Sequence, residues 1–262
     1  MQINKLIHTN LPFFGLVVII LMLLNGCATT ATIDPRDPWE GWNRGVQSFN
    51  DGVDDYVMKP AGKGYNWVMP NFASTGVTNF FSNVNDISVF INDFLQFKFE
   101  QGGKDTGRFL INSTVGLAGF IDVASMLDLY KNNEDFDQTL GYWGVPTGPY
   151  MVLPLFGPST PRGMVGLVGN IAANPLTYIG LPAVSLAAGG VNAIDTRANN
   201  LATEEIATEA ALDRYEFFRD AYLQQRKSLV YDGDVPDDEE YEVILELDED
   251  FQEEGLAPVN PF

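Results

Sequence analysis

The chain has 262 residues, a formal charge of −20 and 45% hydrophobic residues, with one Cys and one His. That length allows one domain with a sizeable core or two small ones, and the acidity makes the chain a poor partner for nucleic-acid phosphates. The histidine, His8, precedes the cysteine, Cys27, so the chain beyond Cys27 has neither residue; Ser–His–Asp and Cys–His catalysis, the usual zinc sites and internal disulfides are excluded there.

In chain order, Met1 to Asn10 is polar with Lys5 as its only charge, and Leu11 to Leu24 carries none. That apolar length suits the core of a signal peptide and is short for a membrane-spanning helix. It ends Leu24-Asn25-Gly26-Cys27, which resembles the lipobox of bacterial lipoproteins. Residues 1–26 are therefore expected to be a signal peptide, and Cys27 the acylated first residue of the mature chain. Each buried acyl methylene would strengthen the anchor by about 0.8 kcal/mol. Ala28 resembles the outer-membrane sorting signal of such lipoproteins. Without Lys5 the charge is −21; 13 acidic residues lie between Asp232 and Glu254, which leaves −8 for the body.

Asp37-Pro38 with Glu40 reads as a capping box opening a helix. Trp39, Trp42, Val46, Phe49, Val53 and Tyr56 then form one helical stripe that ends near Lys59-Pro60. A stripe of this kind ordinarily packs into a core, with lipid contact as the alternative. Residues 61–85 read as a short and a longer helix divided near Met69-Pro70, and residues 86–99 as a further helix, greasy on most sides through Val89, Phe90, Phe94 and Phe97. Gly102-Gly103 is expected to break the chain before a helix over 104–112. Gly116, Gly119 and Asp122 mark a turn before a short helix over 123–130.

From Gln138 to Ile194 Arg162 is the only charge in 57 residues. Hydropathy alone would suggest a membrane span there, but seven prolines and many glycines break it. A membrane-embedded or lipid-lining segment is expected, against the alternative of a buried core with loops. Ala198 to Leu229 reads as one long helix, acidic in its first half and basic at its end. Residues 27–231 thus form a helical domain, and residues 232–262 an acidic, largely disordered tail. No nucleotide-binding or nucleophile-elbow motif sits at a strand-to-helix junction. A paired-carboxylate hydrolase stays open, because Asp and Glu are plentiful.

Several runs together resemble the MlaA, or VacJ, lipoproteins. They are residues 37–44 (DPWEGWNR), 79–83 (NFFSN), 92–96 (NDFLQ), 107–114 (GRFLINST), 138–145 (QTLGYWGV) and 212–215 (LDRY). The resemblance implies a mainly α fold: a ring of helices lying in the inner leaflet of the outer membrane around a polar channel. It implies a non-enzymatic lipoprotein on the periplasmic side of that membrane. Such a protein removes misplaced phospholipids from the outer leaflet and passes them to a soluble periplasmic carrier, beside a trimeric porin, with no cofactor or metal. Two positions depart from the family pattern: Asp137 stands where Gly is usual, and Gly163 where Asp is usual. Arg162 is therefore expected either to pair with a distant carboxylate or to contact lipid phosphate, with Arg44 and Arg108 as weaker phosphate candidates. A passive envelope tether is the competing reading.

Overall fold

The computed structural model describes residues 34–178, 182–210 and 213–236. The expected signal peptide, Cys27 and most of the acidic tail lie outside the described residues. The fold is mainly helical. Helix α1 is Glu40–Val53, and a π-helical turn, Asp54–Met58, joins it to α2, Lys59–Val68. Then come α3, Asn71–Leu95, and α4, Phe99–Thr114. A short 3-10 turn, Ser125–Leu127, precedes α5, Phe136–Tyr142. Strands β1, Met151–Leu153, and β2, Gly157–Ser159, form an antiparallel hairpin that places Val152 opposite Pro158. Helices α6, Pro161–Ala173, α7, Pro182–Ala210, and α8, Arg214–Val230, follow among the described residues. Among the described residues no helix is long and apolar enough to cross a membrane, as the prolines of 138–194 implied.

Several local expectations are corrected. Helix α1 does not end at Lys59-Pro60: Pro60 falls in the first turn of α2, and the π turn carries the chain past it by shifting the hydrogen-bond register. Asp37 does not cap α1, because its side chain is buried and bonded to Asn43 and Tyr215, while Glu40 pairs with Arg44. Residues 86–95 continue α3 rather than forming a new helix. Gly102-Gly103 lies inside α4, where a Cβ at Gly102 would stand 2.9 Å from the Phe94 ring, so the glycine permits close packing against α3. The real break is at Gln96–Lys98. The short helix expected over 123–130 is a single 3-10 turn. The helix read over 198–229 is two, because Asp213 accepts from the Tyr215 and Glu216 amides and starts α8 afresh. The β hairpin was not expected.

Helix α3 packs along α4, α2 along α7, and α5 along α6; α8 reaches α5 and β2. The material between them is mostly polar. Among the described residues seven hydrophobic side chains are buried, against twenty polar or charged ones, while thirty-three large hydrophobic side chains are exposed. The small apolar core is Val46, Tyr150, Val152 and Tyr215, with Tyr222 and Leu223 against it. Of the α1 stripe only Val46 is buried; Trp39, Trp42, Phe49 and Tyr56 face outward. The expectation of core packing for that stripe is therefore overturned: only Val46 reaches the small apolar core, and the inward side of α1 also carries the buried Asn43. The uncharged stretch is likewise no buried core: Trp143, Leu155, Phe156, Val165, Val168 and Leu186 are exposed.

Candidate functional site: a polar interior

The interior is a set of connected polar clusters. In the first, Arg108 of α4 lies almost wholly buried between two carboxylates. Its Nε is 3.3 Å from Asp86 of α3, and its Nη2 is 2.8 Å from Asp122. Its Nη1 donates to Ser125 Oγ at 2.9 Å and to the Leu129 carbonyl at 2.7 Å. Burial opposes charge on Asp122, but hydrogen bonds from Arg108, Ser125 and Asn112 outweigh it and hold its carboxyl at about 2. Asp86 also takes the Lys131 ammonium. Burial pushes the Asp86 carboxyl up and the Lys131 ammonium down, and their mutual attraction only partly offsets that penalty.

Two turns further along α3, Asp93 meets Asp105 of α4. Both are buried, and the amide of Asn132 donates to each, at 3.3 and 3.2 Å. Burial, and then the neighbouring Asp105, pushes the Asp93 carboxyl up to about 8. The chain of polar contacts runs on through Gln96, which donates to Glu134 at 2.8 Å and to Thr139 at 3.1 Å. Thr139 donates to Asn92 at 2.7 Å.

The second cluster joins three helices. Asp137 of α5 accepts from Arg162 Nε of α6 at 2.6 Å and from Arg226 Nε of α8 at 2.6 Å. Arg226 also forks onto Asp135 with two bonds of 2.8 Å. The third cluster positions the hairpin. Asn43 and Asn50, two turns apart on α1, hold the backbone of β1: Val152 N donates to Asn43 at 2.9 Å, and Asn50 donates to the Leu153 carbonyl at 3.0 Å.

The three arginines singled out in the sequence do not converge. Arg162 is buried and takes the distant-carboxylate course, with Asp137 as its partner and Val145 as a second acceptor. Arg108 is likewise enclosed. Arg44 keeps an accessible side chain while pairing with Glu40, Asp213 and Glu216 and lying 4.4 Å over the Tyr215 ring. Cys27 lies outside the described residues. Sequence reasoning missed Asp86, Asp93, Asp105 and the buried asparagines. Their signal was present as the helical spacing of Asn79, Asn83, Asp86 and Asp93 along an otherwise apolar helix.

The family described as MlaA lipoprotein matches residues 35–229. The chain belongs to the MlaA lipoprotein family. It is 35% identical to the "Intermembrane phospholipid transport system lipoprotein MlaA" of Haemophilus influenzae, over 86% of this chain and 94% of that protein. It is 33% identical to the protein of the same name from Escherichia coli K12, over 81% and 86%. A solved structure described as the structural basis for maintenance of bacterial outer membrane lipid asymmetry superposes with a TM-score of 0.67 at 32% identity, covering 74% of this chain and 98% of that one.

Within this MlaA-family fold Arg162 draws its carboxylate from Asp137 across the helix pair. A side chain at Gly163 would crowd Ser159 Oγ at 3.1 Å and Tyr222 Oη at 3.2 Å. Arg162→Ala is expected to cost about 2 kcal/mol of unfolding free energy, because Asp137 keeps Arg226 as a partner. Denaturant unfolding of the variant checks this; a change below roughly 0.5 kcal/mol would show that Arg226 alone suffices.

Proposed function

We propose that this chain is an outer-membrane lipoprotein, acylated at Cys27, that lets misplaced phospholipids leave the outer leaflet through its polar interior. It hands them to a soluble periplasmic carrier and so maintains lipid asymmetry. In this reading the helices form a ring in the inner leaflet, beside a trimeric porin, and no covalent step is performed. The relatives from Haemophilus influenzae and Escherichia coli are named as lipoproteins of an intermembrane phospholipid transport system, which supports the same role here.

The observation that carries the reading is the inverted distribution of polarity. In water an exposed apolar surface of this extent is unfavourable and marks a membrane or partner contact. Buried carboxylates and arginines are costly unless paired, and here Asp137 with Arg162 and Arg226, and Asp122 with Arg108, pair across the helices. A ring with such an interior lowers the cost of moving a charged headgroup through hydrocarbon, while the acyl tails stay in lipid. Arg44, the accessible one of the three arginines, is the best placed of them to meet phosphate in transit.

The experiment measures outer-leaflet phospholipid by its accessibility to added phospholipase. Cells lacking the chain are expected to accumulate it, the intact chain to restore asymmetry, and Cys27→Ala to fail. Trp67 and Phe72 are 88% and 73% exposed. The double substitution Trp67→Glu, Phe72→Glu should weaken membrane association, at roughly 2–3 kcal/mol per charge placed in hydrocarbon, while leaving the interior intact. Unaltered asymmetry in cells without the chain would sink the transport reading in favour of a passive tether.

A further inference from the structure

The junction of α3 and α4 forms part of an open cleft of about 680 Å3, whose lining Asn132, Glu134 and Asp232 help to complete. That volume lies within the range of small-molecule sites. Its unusual residue is Phe97. Helix α3 ends in a Schellman motif, in which the Phe97 amide donates to the Phe94 carbonyl at 3.2 Å and the Lys98 amide to the Asp93 carbonyl at 2.8 Å. The residue at the left-handed position of that motif is commonly Gly, and here Phe97 occupies it with φ 63°. A bulky side chain is strained in that conformation. The fold gains little in return: Phe97 is 66% exposed and touches Phe99 with ring centroids 6.2 Å apart. Strain kept at an exposed position on the wall of a cleft points to use of the side chain there.

The charges of the cleft alternate. Lys98 Nζ stands 2.7 Å from the buried Glu134 and 2.5 Å from Asp232, and Lys104 Nζ stands 2.8 Å from Glu100. Two ammonium groups thus face three carboxylates. A purely anionic ligand would meet a net negative wall, and a purely cationic one would displace both lysines without replacing their partners. A ligand carrying both signs can exchange with both kinds of group at once.

We propose that this cleft binds the headgroup of a zwitterionic phospholipid. Its phosphate lies toward Lys98 and Lys104, its ammonium toward Glu134 and Asp232, and its glycerol region lies against Phe97 and Phe99. This rests on the transport reading above and names the lipid class for it.

The test uses the full acylated chain in nanodiscs, with Gln101→p-benzoylphenylalanine as a photoprobe in the cleft. Phosphatidylethanolamine should crosslink roughly fivefold more than phosphatidylglycerol. Phe97→Gly should lower that crosslinking by roughly fivefold to tenfold, the weight of one aromatic contact, while thermal stability holds or rises. Lys104→Glu, at an exposed position, should lower it likewise. Equal labelling by the two lipids, or labelling unchanged in both variants, overturns the proposal. Competition by soluble phosphoethanolamine at the concentration of lipid would identify a free zwitterion as the ligand and overturn the lipid assignment. If these fail while outer-leaflet asymmetry still depends on the chain, the transport reading stands and the cleft alone is refuted.

Discussion

Arg108→Met is expected to lower the unfolding free energy of the chain by about 3–5 kcal/mol. The guanidinium serves four partners from one buried position: Asp86, Asp122, Ser125 and the Leu129 carbonyl. Methionine fills much of the space and answers none of them. Asp86 is then left to Lys131 alone, and Asp122 to Ser125 and Asn112. Breaking such a pair from one side is severe because the remaining charge stays buried, whereas replacing every member together is mild. For a domain of this size the loss corresponds to a fall in melting temperature on the order of 10 °C. Thermal and denaturant unfolding of the detergent-solubilised chain measures it. Arg108→Lys should recover only part of the loss, since one ammonium cannot span both carboxylates with the geometry of a planar fork. A loss below about 1 kcal/mol for the Met variant would mean that Asp86 and Asp122 are solvated rather than held by Arg108.

The second large effect is on pH dependence. Asp93 begins from an ordinary carboxyl value of 3.8 and is raised to about 8 in the fold by burial and by Asp105. Below about pH 4 the group is protonated whether the chain is folded or not, so it adds nothing to the balance. Between about pH 4 and pH 8 the unfolded chain releases the proton and the folded chain keeps it, so stability falls as pH rises, by at most about 1.4 kcal/mol per pH unit. Above that window the penalty is constant. Asp93→Asn keeps the shape and a donor toward Asp105 but cannot ionise. It should match the natural chain near pH 4 and exceed it by a few kcal/mol near pH 8, on the order of the accumulated slope. Unfolding free energies of both chains from pH 4 to pH 9 decide the matter. Parallel curves would show that Asp93 is ionised in the fold at neutral pH.

Both effects depend on groups that the sequence hid behind its apolar pattern. Along residues 86–99 the conspicuous apolar residues are Val89, Phe90, Phe94 and Phe97. The structure buries Val89 with Asp86, Asn92 and Asp93, and leaves Phe94 and Phe97 exposed. Periodicity locates the two faces of a helix equally well in either case. It carries no sign for which face is inside, and the usual assignment presumes water outside.

Some features were nonetheless decided locally. The helical character of the chain, the division at Met69-Pro70 and, among the described residues, the absence of a spanning helix in the proline-broken stretch follow from backbone chemistry within a few residues. The ordered runs from Asp37 to Tyr215 were enough to place the chain in its family. Other features depend on partners far away in the chain. The partner of Arg162 is Asp137, 25 residues earlier, and that of Asn43 is the hairpin backbone more than a hundred residues on. Arg44, on the first helix, pairs with Asp213 across the fold, 169 residues on. Tertiary structure alone decided these, because the energy of a buried polar group lies in the geometry of its partners and not in its own position along the chain.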